Sequence, residues 1–151
     1  MGLDTVFAGA NLIALLSWIA LIFLPRWPAL LSALLFLIVG GLCLTYAVAM
    51  IGTLSGLIDM GGGGNGSVSF TSIEGVRNLF ASDGGVTIGW VHYLAFDLFV
   101  GIWIARDADS KGFSRIVQAP ILLPTFMFGP IGLLIWLVVR EGKARKLGRW
   151  T

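Results

Sequence analysis

The sequence predicts an all-α membrane protein, a four-transmembrane-helix bundle with a short amphipathic surface helix between its second and third helices. Three observations carry that prediction. The 151 residues are 57% hydrophobic and only 12% charged, with a mean hydropathy of +0.92. Soluble domains carry about 25% charged residues, so this chain has half the charge needed to cover a water-facing surface. The charges are also clustered, which leaves four long stretches nearly bare of them. Finally, the breaks between those stretches are built from proline, glycine or charged residues, as turns at a membrane surface require. The length fits a single membrane domain.

The first span covers about residues 6–24 and holds no charge, with Asn11 and Ser17 its clearly polar members. About 20 helical residues cross a hydrocarbon core of roughly 30 Å. Asp4 precedes the run with no basic segment before it, so the run reads as a retained helix and not a cleaved leader. Pro25, Arg26, Trp27 and Pro28 end it, and so short a connection predicts an antiparallel hairpin with the next helix. That second span, about residues 29–52, sits in an apolar run reaching Ile58. The excess length predicts a tilt, or a kink near Gly40 and Gly41. Gly52 and Gly56 match the spacing that lets two membrane helices approach closely. Cys43, the only cysteine, lies within the run and reads as a packing residue.

A glycine-rich loop spans residues 59–71, and it lacks the Lys-Ser/Thr of a phosphate-binding loop. Thr71-Ser72-Ile73-Glu74 fits a helix capping box, and residues 72–81 follow with helical apolar spacing, predicting the surface helix. The third span covers about residues 86–105 and ends in the polar turn Arg106-Asp107-Ala108-Asp109-Ser110-Lys111. The fourth covers about residues 118–139, where Pro120, Pro124 and Pro130 predict irregularity and Gly129-Pro130 a kink or a broken turn. Residues 140–151 form a basic tail, read as a cytoplasmic flank beside anionic lipid and not as a nucleic-acid site. Four full crossings would put both termini on one side, where six basic side chains face four opposite, and the tally favours the cytoplasm.

Chemistry concentrates in the third span. An aspartate at mid-bilayer costs about 2.5–3.5 kcal/mol on insertion scales, so Asp97 must face the bundle interior or a wet cavity. His92, the only histidine, lies five residues earlier, about 140° around the helix, so the two cannot meet on one face. Tyr93, Asp97, Gly101 and Ile104 form one stripe; His92, Phe96, Phe99, Trp103 and Arg106 form another. Asp97 can reach Tyr93 one turn away, while His92 needs a partner on another helix or at interfacial water. A purely structural role, with buried polar contacts locking the bundle, weighs about evenly against a functional one. One histidine and scattered carboxylates make no metal-ligand set, and Asp107 and Asp109 read as a turn neutralised by Arg106 and Lys111. No cofactor motif is present.

Two blocks carry a resemblance: Trp90-Val91-His92-Tyr93-Leu94-Ala95-Phe96-Asp97-Leu98-Phe99 with Arg106 and Asp107 following, and Thr125-Phe126-Met127-Phe128-Gly129-Pro130-Ile131-Gly132. They resemble the abscisic-acid-deficient-four-like family, whose plant members are chloroplast membrane proteins linked to neoxanthin synthesis. The missing transit peptide implies a bacterial-type member, in a bacterial inner membrane. The resemblance implies conversion of an epoxy-carotenoid into an allenic one, which needs a base for a ring-adjacent proton and an acid to assist epoxide opening. It places His92 and Asp97 as candidates for those roles, oriented by Tyr93 and Arg106. The rings, Met127 and glycine gaps of the fourth span, with Phe128, Gly129 and Pro130, read either as the lining of a slot for an apolar polyene or, about two to one, as helix packing around proline kinks. The other classes left open are a non-catalytic assembly factor or subunit of a membrane complex, and an oligomeric proton pathway.

Overall fold

The computed structural model describes residues 2–58 and 69–148. Most of the glycine-rich loop and the last three residues of the basic tail lie outside that range. Among the described residues four helices are long and apolar enough, by length and composition, to cross a membrane. Helix α1 is Leu3–Phe23, α2 is Pro28–Leu54, the short α3 is Ile73–Leu79, α4 is Asp83–Ser110 and α5 is Arg115–Leu147.

Helix α2 begins with Pro28 in its first turn, where a missing N–H costs nothing. Ala33–Val39 is wound as π-helix, directly before Gly40 and Gly41 where the sequence predicts a kink. Such a segment replaces i→i+4 bonds by i→i+5 bonds and redirects a helix without proline. Among the described residues the Gly52/Gly56 pair makes no interhelical seam. Gly52 packs against Ile58 of the following turn, and Gly56 takes φ +73° where the helix ends. Position alone, at the end of the helix, decided between the two uses of glycine.

The cap of α3 is Ser72, whose hydroxyl accepts from the Gly75 N–H at 3.1 Å; the capping box on Thr71 and Glu74 does not form. Ser82 caps α4 in the same way, accepting from the Gly85 N–H at 3.1 Å. Between the caps, Gly85 leaves no room for a side chain against the Leu79 carbonyl, and Gly89 lies against the Phe80 ring. These contacts hold α3 on the start of α4.

Helix α4 is the centre of the molecule: 56% of its apolar window is buried, against 17% for α2. Gly101 of α4 receives the outer edge of the Trp18 ring from α1. The larger cluster, including Trp18, Leu21, Leu98, Ile102, Leu122 and Trp136, fills the half of the bundle near the α1–α2 turn. The other half closes through smaller residues, Ala10, Ala14 and Ala95, with Leu42, Val91 and Leu94.

Helix α5 does not run straight. Phe128 leaves helical geometry at φ −148°, ψ 50°, and the chain reverses there. Residues 115–127 rise along α4 from the α4–α5 turn, and residues 129–147 return beside it. The return is fixed by contacts. Trp136 stacks edge-on against Phe113 at 5.1 Å, Arg140 bonds Asp107, and Lys143 donates to the Lys111 and Gly112 carbonyls at 3.2 and 2.9 Å. A straight helix would carry Arg140 about 37 Å from Arg115. Thus α5 is a re-entrant helical hairpin with its tip near the bundle's mid-height. The end of α5 lies with the α4–α5 turn, while the Leu3 end of α1 lies beside Gly84 and Thr87 at the start of α4. The Leu3 end of α1 and the end of α5 therefore lie at opposite ends of the bundle, because α5 reverses at Phe128.

Candidate functional site

The break in α5 leaves backbone groups that a continuous helix would pair. Pro130 has no N–H to give. The Gly129 N–H instead donates to Asp97 Oδ2 at 3.3 Å, and the Met127 carbonyl accepts from the Tyr93 hydroxyl at 2.6 Å. Two side chains one turn apart on α4 therefore cap an interrupted helix on α5. Irregular backbone at membrane depth is tolerated only where protein groups satisfy it. Asp97 is 7% exposed and Gly129 is buried; a β-carbon at position 129 would collide with the Asp97 carboxyl. Gly132 similarly meets Thr125 across the hairpin, so the glycines let its limbs close.

Around the tip the half of α4 above the hairpin is uncovered by α5. An aromatic column stands there. Phe7 of α1 stacks on Trp90 at 5.9 Å, and Trp90 stacks on Tyr93 at 5.1 Å. Trp90 is fixed by its indole N–H donating to Asn11 Oδ1 at 2.9 Å. The exposed part of Trp90, with exposed Met127 and Phe128 at the hairpin tip, forms an apolar ledge beside the Tyr93 hydroxyl. Pro130 is exposed beside the tip.

The other proposed residues lie elsewhere. His92 projects from a different face of α4, stacked on Phe96 at 4.6 Å and tilted against Tyr46 of α2 at 5.4 Å. It borders a cavity of about 240 Å³ between α2, α3 and α4, with Met50, Phe80 and Gly89. It does not meet Asp97, as the 140° separation requires. Arg106 is exposed and nine residues beyond Asp97, about 13 Å along the axis, too far to orient it.

A second polar cluster, unanticipated as a unit, closes the base of the hairpin. Asp107 accepts from Arg140 at 2.6 and 2.9 Å, from Lys111 at 3.0 Å and from the Trp136 indole at 3.0 Å. Asp109 accepts from Arg26 at 3.1 Å and from Gln118 at 2.8 Å. The Gln118 amide oxygen in turn accepts from Arg26. Arg26 and Lys111 side chains are 2% and 1% exposed, so this is no solvated turn. Burial pulls the Arg26 guanidinium below its ordinary value, and the Asp109 carboxylate opposes that pull. Lys111 neutralises Asp107 as the sequence suggests, but the other cations are Arg26 and Arg140, not Arg106. In linear order Arg140 belongs to the basic tail, because it follows the last apolar residue of the fourth span. Its real neighbours, Asp107 and the Trp103 ring 5.4 Å away, are invisible to linear order.

A charge-poor helical bundle, with a reversing helix capped inside it by an acid and a phenol, defines a polytopic membrane protein whose polar chemistry sits at a helix break. The ABA DEFICIENT 4-like family matches residues 5–136, and the chain belongs to that family. No curated protein sequence matches it, and no solved structure does.

Proposed function

We propose that the protein binds and modifies a carotenoid or related long isoprenoid, with one ring end seated on the Trp90–Tyr93 ledge at the hairpin tip. The observation that carries this reading is Asp97 and Tyr93 at an interrupted backbone, beside the exposed Trp90, Met127 and Phe128. A polyene needs a long apolar path, and a neighbouring acid and phenol offer a proton donor and acceptor where its polar end would stop. Asp97 removes or delivers the proton in this reading, and the Tyr93 hydroxyl, released from the Met127 carbonyl, donates to the oxygen of an epoxide or hydroxyl. His92 serves the ligand only from the separate cavity under α3.

The test exploits a chemical distinction. Asp97→Asn keeps an oxygen to accept from the Gly129 N–H but removes the acid and base. Pigment profiles of a deletion strain complemented with wild-type or Asp97→Asn protein are the measurement. Loss of one pigment on deletion, restored by wild type but not by the stable variant, is the expected result. An unchanged profile on deletion sinks the proposal.

A second reading has its own support: both side chains are already engaged by backbone, as a structural lock requires. On that reading the chain is a non-catalytic assembly factor or a subunit of a larger membrane complex. Full complementation by Asp97→Asn, with a fixed partner co-purifying, favours it.

A further inference from the structure

The reversal of α5 changes the charge map of the molecule. Arg26, Arg106, Lys111 and Arg115 lie at the two turns of one end. The returning limb adds Arg140, Lys143, Arg145 and Lys146 to that same end, since Lys143 bonds the Gly112 carbonyl. At the opposite end Arg77 stands as the basic side chain among the described residues, accompanied by the acids Asp4, Glu74 and Asp83. Eight of the chain's ten basic residues therefore share one face of the bundle. Read as four full crossings, the same sequence divides six against four. Basic residues within about 15–20 residues of span ends set orientation, because they are held on the cytoplasmic side during insertion.

We infer that the chain crosses the bilayer three times, with α5 entering and leaving from the cytoplasmic face, and that the basic end docks on the anionic headgroups of that leaflet. The occupant follows from charge: Arg106, Arg115, Lys143, Arg145 and Lys146 are exposed there, against the acids Asp107, Asp109 and Glu141, of which Asp107 is already paired inward. The start of α1 and the surface helix α3 face the opposite compartment. The Trp90–Tyr93 ledge lies in the bilayer half away from the hairpin base. If the proposed function holds, its ligand comes from the outer leaflet, but the orientation does not depend on that reading.

The test uses single cysteines in a Cys43→Ser background, in full-length protein in a bacterial inner membrane. Gly2→Cys and Gly142→Cys mark the two ends, and a β-carbon at either position meets no atom within 4 Å. A membrane-impermeant maleimide is applied to intact cells and again after permeabilisation. The expected result is labelling at position 2 in intact cells and at position 142 only after permeabilisation. Lys146→Cys reports the same end should the Gly142 variant fail to accumulate. Labelling of both ends from one side, as four crossings require, overturns the inference, and so does the reversed sidedness. Pigment content plays no part in this readout, so it fails independently of the proposed function.

Discussion

At the scale of single residues, Asp97 holds the most consequence per atom. Its Oδ2 accepts the Gly129 N–H that the helix break releases. Asp97→Leu leaves that donor unpaired in a buried, low-dielectric place, at about 1–3 kcal/mol. Thermal unfolding in detergent should show Asp97→Leu clearly destabilised and Asp97→Asn close to wild type; equal losses for both would mean that the charge, not the cap, stabilises the tip. Gly129→Ala attacks the same contact from the other side, because its methyl group would strike the Asp97 carboxyl. Overpacking of this kind costs about 1–3 kcal/mol. The same assay should place this variant below wild type, and a neutral result would show that the hairpin tip relaxes freely.

At the scale of elements, the hairpin depends on its base as well as its tip. Asp107 holds Arg140 of the returning limb and Lys111 of the preceding turn in one buried network. Removing one partner of a buried ion pair costs about 3–5 kcal/mol, since the remaining charge stays desolvated. Arg140→Ala should therefore speed backbone hydrogen exchange through residues 129–147 while leaving α1 and α2 protected. Uniform loss of protection along the whole chain would show that the limb does not open separately. Glu141→Ala is the useful contrast. Its partner Arg145 is 72% exposed, and such surface pairs contribute about 0–1 kcal/mol, so exchange should barely change.

At the scale of the molecule, α4 is the axis on which α1, α2 and the hairpin are hung. Gly101 sets the distance to α1 by admitting the Trp18 ring. Gly101→Val should wedge those helices apart and lower the melting temperature by the equivalent of about 1–3 kcal/mol; an unchanged melting curve would show that Trp18 swings aside. Much of this architecture was legible in the sequence. Hydropathy and turn residues mark the four apolar helices, and the Tyr93–Asp97–Gly101–Ile104 stripe anticipates the face that becomes buried. The broken turn at Gly129-Pro130 was also visible as a possible outcome of helix-breaking residues in an apolar run. The direction taken after the break was not legible, because hydropathy records apolar length and carries no sense of up or down. The base of the hairpin was hidden for a related reason: Asp107 and Arg140 are 33 residues apart and each has a plausible local explanation. His92 stands out in the sequence as the only histidine and lies in a span, whereas Arg106 enters the candidate site through the family resemblance alone. Their angular and axial offsets from Asp97 separate them from it once the helix is built.

The capped tip also bears on the order in which the protein can be made. Asp97 and Asp107 hold residues 129–147 through the Gly129 N–H and the Arg140 guanidinium, and Tyr93 holds the Met127 carbonyl at the tip. All three receptors lie on α4, which leaves the ribosome first. The translocation machinery can therefore release α4 as a template and let the last helix fold back against it, and a circular permutation that delivered α5 before α4 would lose that advantage.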